Sequence, residues 1–254
     1  MLKSRYLRLW ILTVFFCAGH AFCGNQAQNP EVILNRCAQA MGSPQQHFSA
    51  LAEGQTQNSD SEPSASVRIQ TRDLKSFRLE TGEREKKSVV TVHRGQGSHQ
   101  QQDKKQALSR HTTAYFKADH LPALVCGMNL SADGMKATYE GEDRVDSSPV
   151  FHLKLSVAPK GKNARADEIE SLISEYHLFI DQRSFVVLKT SSFAFSPATV
   201  TNHSVWETFY YDYRRVGGVL MPFRMENFLA GQKVKTTTFT NIRTDVSFAD
   251  QDFQ

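Results

Sequence analysis

The sequence predicts a mainly β, α+β fold built on an antiparallel sheet of about ten strands, with two or three helical segments. Apolar and polar residues alternate with a period of two over most of the chain, which is typical of strands that bury one face. Glycine-containing turns separate the strands of the last third. With 254 residues, 40% of them hydrophobic, the chain is long enough to bury a substantial core.

A first helix is predicted over residues 30–41. Asn29 suits the N-cap, and Pro30 suits the first helical position because that position needs no backbone N–H. Apolar residues then recur every four positions before Gly42, as on one face of an amphipathic helix: Ile33, Cys37 and Met41.

The first strands are predicted between residues 48 and 92, where Phe77 and Leu79 alternate with Arg78 and Glu80. Two polar stretches, residues 55–66 and 95–105, have the composition of turns or long mobile loops. Residues 112–130 form a second helical region, in which Pro122 either starts or breaks a helix.

Strands resume at residue 151 and continue to the end of the chain. Residues 176–180 and 185–195 are predicted to form a hairpin, and the charged stretch 160–170 is a loop or a short surface helix. The last third is predicted to be an antiparallel meander of three strands, over residues 205–213, 219–229 and 234–242.

The hairpin YYDYRRVGGVLMPFRM, residues 210–225, has its register set by its turn. A two-residue turn at Gly217 and Gly218 would place odd-numbered residues opposite even-numbered ones. A three-residue loop that includes Val216 would place the apolar residues on one face, so this bulged loop is expected. The expected pairs are Tyr213 with Met221, Tyr211 with Phe223, and Tyr210 with Arg224.

The arginines of this hairpin have two interpretations. Arg214, Arg215 and Arg224 fall among acidic residues on the predicted polar face, where they are most simply cross-strand partners in solvent. The alternative is an anion-binding site built from the three side chains.

The first 23 residues have the pattern of a cleaved signal peptide. Basic residues precede an apolar run at 9–18 that is too short to span a bilayer comfortably. Cleavage is expected after Ala21 or Cys23, which leaves residues 24–254 as a single domain. A lipid anchor on Cys23 is disfavoured because bulky Phe22 precedes it. Removing three of the 30 basic residues leaves 27 against 26 acidic ones, a balance that argues against a nucleic-acid partner.

Two of the four cysteines, Cys37 and Cys126, remain after removal of the signal segment. An exported, oxidising compartment permits a disulfide between them. Two separate buried thiols are the alternative, because the sequence does not give the distance between the two residues.

The chain lacks the sequence signatures of the common catalytic and cofactor sites. It has no GxSxG elbow, no phosphate-binding glycine loop, no HExxH and no CxxC. A non-enzymatic protein with no cofactor and no metal is therefore predicted. A hydrolase assembled from distant residues is the alternative.

Three segments resemble the periplasmic outer-membrane lipoprotein carriers of the LolA/LolB-like superfamily. They are the C-terminal run at residues 210–253, the preceding hairpin FIDQRSFVVLKT, and the early strands VRIQTRDLKSFRLE after the first helix. With that helix, the likeness covers most of residues 30–253.

The resemblance implies a strongly curved antiparallel sheet, an unclosed half-barrel whose mouth is plugged by helices. An apolar cavity between sheet and helices would take acyl chains. The resemblance also implies an arginine latch for the helical lid, at Arg72 or Arg78. Asp73 follows Arg72 where the family has proline. The candidate cavity-lining residues, which a closed core explains equally well, are Phe77, Leu79, Phe209, Tyr211, Tyr213, Met221, Phe223 and Met225.

The function that this resemblance implies is a monomeric, non-catalytic periplasmic carrier of lipid or lipoprotein acyl chains. A soluble form is favoured because the lipoprotein cysteine of the outer-membrane acceptor is missing. An inner- or outer-membrane protein is the second expected partner. The alternative function is an envelope protein-interaction or stress-sensing module, in which an edge strand or the concave face binds a protein.

Overall fold

The computed structural model describes most of the chain after residue 28. The described residues are 29–42, 48–59, 64–72, 75–83, 87–108, 112–113, 116, 119–128, 130, 134–158, 161, 163–196 and 199–254. The predicted signal segment lies outside them.

The described residues form one antiparallel sheet of thirteen strands, in the order β6-β5-β4-β3-β2-β1-β13-β12-β11-β10-β9-β8-β7. β6 and β7 are its two ends and are not paired with each other, so the predicted unclosed, mainly β fold is confirmed. The strands are β1 (Ser49–Asn58), β2 (Ala65–Arg72), β3 (Ser76–Thr81), β4 (Ser88–His93), β5 (Gln96–Gln101), β6 (Lys104–Ala107), β7 (Met135–Val145), β8 (Ser148–Val157), β9 (Tyr176–Asp181), β10 (Val187–Ser196), β11 (Thr199–Val216), β12 (Val219–Leu229) and β13 (Gln232–Thr244).

Three α-helices accompany the sheet: α1 (Pro30–Met41), α2 (Pro122–Cys126) and α3 (Ala164–Ile173). A 3-10 helix, Asp250–Phe253, follows β13. The predicted bounds of α1 are confirmed: the Asn29 side chain accepts a hydrogen bond from the Glu31 backbone N–H, and Gly42 ends the helix at φ 67°. Pro122 starts α2, and the charged stretch near residue 165 is a surface helix.

Four strand segments were not predicted, all of them largely polar. β5 and β6 occupy the predicted loop at 95–105, β1 extends through Asn58, and β7 was not predicted. The β5–β6 hairpin lies at the edge of the sheet, where β6 is exposed and no residue of β5 is fully buried, so its residues show no apolar alternation. Alternation finds only strands that bury a face.

The predicted register of the β11–β12 hairpin is wrong. Val216 pairs with Val219, so the turn has two residues, Gly217 and Gly218, with φ 55° and 85°. Positive φ at both positions is the geometry that a two-residue turn needs, and glycine adopts it without strain. Farther along, Tyr210 pairs with Met225 and Tyr211 pairs with Arg224.

The sheet has an inner face, covered by α1 and α2, and an opposite outer face. The inner face carries the main core, whose strand side chains of at most 1% exposure include Phe77, Val92, Leu153, Leu155, Leu178 and Ile180. A smaller cluster around Val145, Val150 and Phe179 lies on the outer face.

A disulfide joins the two helices of the inner face. Cys37 of α1 is bonded to Cys126 of α2, across a sequence separation of 89 residues. Both cysteines belong to the buried core, at 0% and 5% exposure. α1 and α2 are thus one covalently linked unit, which we call the two-helix cover.

We expect loss of this bond to destabilise the protein. Replacing both residues by serine, Cys37→Ser with Cys126→Ser, removes a cross-link that closes a long loop of the unfolded chain, at a cost of about 2–5 kcal/mol. Denaturant unfolding measures the free energy, and mass spectrometry of unreduced peptides detects the Cys37–Cys126 link. A reducing agent should destabilise the native protein and leave the double variant unchanged. Equal stability of the two proteins would contradict the expectation.

Candidate functional site

The candidate site is the inner face beneath the two-helix cover. The cover contributes an apolar stripe from α1, formed by Ile33, Leu34, Cys37 and Met41, and the whole of α2 is buried. These side chains pack on the aliphatic and aromatic side chains of the sheet in one continuous cluster. The protein's own helices cover this apolar face, which is not enclosed by closure of the sheet into a barrel.

Six of the eight predicted lining residues lie at this inner face. Five belong to the buried cluster: Phe77, Leu79, Met221, Phe223 and Met225. Tyr213 packs against the cluster, and its hydroxyl donates a hydrogen bond to the Val187 carbonyl at 2.7 Å.

The other two predicted lining residues, Phe209 and Tyr211, lie on the outer face. Phe209 packs with the Val145 cluster and against the ring of Phe228, and the Arg224 guanidinium lies 4.3 Å from the centroid of the Tyr211 ring. Tyr211 and Tyr213 are two residues apart yet face opposite ways. Asp212 between them has a left-handed φ of 52°, which interrupts the alternation.

The predicted latch arginines hold a different segment. Arg72 forms an ion pair with Asp250 and donates to the Phe248 carbonyl at 2.7 Å. Arg78 donates to the Gln254 carbonyl at 3.2 Å. Both side chains are on the outer face, where they bind the C-terminal segment rather than the two-helix cover.

A third arginine, Arg215 at the end of β11, contacts the cover. Its guanidinium donates to the Ala40 carbonyl at 3.2 Å, in the last turn of α1, and to the Gly218 carbonyl. A cation at this end of a helix also interacts favourably with the helix dipole. A Cβ atom on Gly42 would lie 2.1 Å from the Gly218 oxygen, so only glycine permits this approach.

A polar cluster interrupts the apolar inner face around Asp119. The Tyr176 hydroxyl donates to Asp119 Oδ1 at 3.0 Å, and the Tyr210 hydroxyl donates to the Asp119 carbonyl at 3.1 Å. Thr190 Oγ1 is 2.9 Å from the Tyr210 hydroxyl. Burial raises the pKa of Asp119 to about 6, although the hydrogen bond from Tyr176 and the charge of Lys235 lower it.

Neighbouring groups of this cluster have shifted pKa values for the same reason. Burial lowers the pKa of Lys235, against the opposing effect of Asp119. Burial and the Lys235 charge lower the pKa of His120 to about 4, so this imidazole is neutral at neutral pH. The sequence analysis did not identify this cluster. A single acidic residue, Asp119, in the most apolar internal stretch was the available signal.

Among the described residues, no group of three or more His, Cys, Asp or Glu side chains is placed to hold a metal ion. The helices among them include none that is long and apolar enough to cross a membrane. A polar cleft of about 280 Å³ lies on the β5–β6 hairpin and is lined by His99, Gln101, Gln102, Lys104 and Gln106.

Removing the Arg215 contact should loosen α1. In Arg215→Ala the Ala40 carbonyl loses a charged donor, and a charged hydrogen bond contributes about 1.5 kcal/mol, equivalent to about a tenfold change in local opening. Hydrogen exchange of the α1 amides measures this opening. Arg214→Ala is the matched control, because Arg214 is paired with Asp212 on the exposed side. Unchanged α1 exchange in Arg215→Ala would reject the contact as an anchor.

Asp119 should make the protein's stability depend on pH. Its folded pKa, about 6, lies above the ordinary 3.8, so the carboxyl contributes stability below pH 4 that is lost as the pH rises through 6. We expect the unfolding free energy of Asp119→Asn, relative to the native protein, to rise by at most about 3 kcal/mol between pH 4 and 7.

Denaturant unfolding of both proteins at each pH gives the measured quantity, which is the difference between their unfolding free energies. His120 titrates in both proteins, so its contribution cancels. The pKa values of Tyr176 and Tyr210 are raised far above this range, and that of Lys235 is lowered from 10.5. Parallel stability profiles of the two proteins would show that Asp119 is not buried as a charged group.

Solved structures share this architecture at very low sequence identity. A LolA superfamily protein from Nitrosomonas europaea matches 88% of the chain and 96% of its own, with a TM-score of 0.56 and 12% identity. A domain from Vibrio parahaemolyticus, described as an outer membrane lipoprotein-sorting protein, matches 89% of the chain and 97% of its own, with a TM-score of 0.57 and 10% identity. A DUF1329 family protein from Desulfovibrio piger matches 88% of the chain and 95% of its own, with a TM-score of 0.54 and 14% identity.

No protein-family model and no curated protein matches the sequence. The likeness therefore rests on structure, and at these identities it establishes the fold. The chain has the fold of these LolA superfamily and outer membrane lipoprotein-sorting structures.

Proposed function

We propose that this protein is a non-catalytic periplasmic carrier or binder of lipid or lipoprotein acyl chains, which it holds against the inner face of its sheet. The observation that carries the proposal is the construction of the core. One side is a broad apolar sheet surface, and the other is a short two-helix cover that takes no part in the sheet. An acyl chain and the cover offer the sheet the same kind of surface.

The energetics of acyl burial are adequate for such an exchange. Each buried methylene contributes about 0.8 kcal/mol, so a chain of about twelve methylenes gains on the order of 10 kcal/mol before the costs of ordering. Uncovering the inner face costs a comparable amount per unit of apolar area. An acyl chain that takes the place of the cover therefore compensates for its displacement.

The cover is held by contacts that water can replace. Arg215 binds the end of α1, and Tyr176 and Tyr210 bind Asp119 just before α2. Because Cys37 and Cys126 are bonded, α1 and α2 move together when these contacts break. Movement of the cover as one unit opens the inner face without disturbing the strand pairing.

Periplasmic location follows from the predicted signal segment and agrees with the disulfide, since such bonds persist in exported proteins. A lipoprotein-sorting role is described for the Vibrio parahaemolyticus domain, which supports acyl chains as the cargo class. A monomer is sufficient for this role.

A second candidate function, binding of an envelope protein, is favoured by an aromatic cluster on the outer face. The rings of Phe193 and Phe195 lie within 4.4 to 5.6 Å of the His203 ring, and Val205 opposite Phe193 is 41% exposed. Aromatic side chains of this kind are enriched where proteins bind one another.

The carrier proposal is tested by incubating the purified protein with vesicles of phosphatidylethanolamine and phosphatidylglycerol, followed by native mass spectrometry. We expect a bound lipid and faster hydrogen exchange in α1 of the loaded protein. Arg215→Ala should load several times faster than the native protein, and Arg214→Ala should load at the native rate.

Two outcomes oppose the proposal. Absence of any lipid adduct on both the native protein and Arg215→Ala rejects the carrier role. Recovery of a lipid-free protein from cells in a stable complex with an envelope protein, lost in Phe193→Ser, favours the second candidate instead.

A further inference from the structure

The polar cluster around Asp119 is built from two parts of the fold. Asp119 belongs to the covering segment that precedes α2, whereas its partners stand on the sheet. Tyr176 lies on β9, Thr190 on β10 and Tyr210 on β11. Displacement of the cover therefore separates the Asp119 carboxylate from the Tyr176 hydroxyl and the Asp119 backbone carbonyl from the Tyr210 hydroxyl.

The sheet contributes a positive charge to the same place. Lys235 of β13 is partly buried, its Nζ lies 6.0 Å from the centroid of the Trp206 ring, and its charge acts on Asp119. Asn227, which pairs with Lys235, donates to Thr208 Oγ1 at 2.9 Å, so the polar groups continue across neighbouring strands. The Asp119 carboxylate favours the charged form of Lys235, whose pKa is lowered by burial.

The groups that remain on the sheet have the chemistry of a carboxylate site. The Tyr176 hydroxyl donates to the Asp119 carboxylate, the Tyr210 hydroxyl donates to the Asp119 backbone carbonyl beside Thr190, and the charge of Lys235 acts on the carboxylate. Charge-assisted hydrogen bonds of this kind are about twice as strong as neutral ones. Apolar side chains stand on the same strands: Leu178 and Ile180 on β9 and Met225 on β12. A polar head and an apolar chain can therefore bind side by side.

We propose that Asp119 occupies the place of a ligand's acidic head, and that the inner face binds single-chain lipids ending in a carboxylate, with Tyr176 donating to that carboxylate and Lys235 supplying a positive charge. This inference rests on the proposed function and gives its ligand class. The incoming carboxylate replaces Asp119, so the sheet donors keep an anionic partner when the cover moves away.

The test compares two ligands with the same twelve-carbon chain, laurate and 1-dodecanol, by calorimetric titration at pH 8. The native protein should bind laurate more than about tenfold more tightly than dodecanol, because a hydrogen bond to a charged group is worth about 1.5–3 kcal/mol. Lys235→Met and Tyr176→Phe should each reduce this ratio, with the dodecanol affinity retained.

Lys189→Met is the matched control. Lys189 lies on the outer face, where it pairs with Glu207 and lies over the Phe179 ring, so its loss should keep the native ratio. Asp119→Asn should raise the ratio, since the internal competitor has lost its charge. Circular dichroism verifies that each variant is folded, and Tyr176→Phe provides the test if Lys235→Met is unfolded.

Equal affinities for laurate and dodecanol, or a ratio that survives both Lys235→Met and Tyr176→Phe, overturn the carboxylate site while leaving an acyl carrier. If neither laurate nor dodecanol binds and no vesicle lipid is found on the protein, the carrier role is rejected and the carboxylate site with it. The two proposals thus fail by different measurements.

Discussion

The rest of the structure depends on how the apolar inner face of an unclosed sheet is kept from water. A closed barrel buries its interior by strand pairing, but here β6 and β7 remain unpaired ends. The inner face must be covered by other elements, and α1 presents only a narrow apolar stripe. The Cys37–Cys126 bond joins it to the fully buried α2, so that two short helices act as one larger cover.

The two faces of the sheet are stabilised in different ways. On the outer face the C-terminal segment is fixed by Arg72, Arg78 and a buried aromatic residue, Phe253, whose ring stacks on His93. On the inner face the cover adds polar contacts at its ends to its apolar packing. Polar contacts exchange with water at little net cost, since each contributes only about 1 kcal/mol. The C-terminal segment therefore stays on the outer face, whereas a ligand can replace the two-helix cover on the inner face.

Alternation of residue types predicted the architecture but not the arrangement of the site. The strands that bury a face and the capped helix α1 were found because their signals are local. The register of the β11–β12 hairpin was not, because it was inferred from an alternation that the left-handed Asp212 interrupts, whereas the two-residue turn sets the pairing. The roles of Arg72 and Arg215 also depend on partners far away in sequence: Arg72 lies 176 residues from Phe248, and Arg215 lies 175 from Ala40.

The raised pKa of Asp119 affects the balance between the closed state, in which the two-helix cover lies on the sheet, and the open state, in which the cover has lifted. A carboxylate that is buried prefers to be neutral, and at neutral pH this one is charged because its pKa is about 6. When the cover lifts, the same carboxylate enters water and recovers its ordinary pKa, so its ionisation favours the open state by at most about 3 kcal/mol. The apolar packing of the cover opposes that preference. The closed state is thus favoured by burial of apolar surface and disfavoured by one buried charge, a balance that allows a ligand to displace the cover.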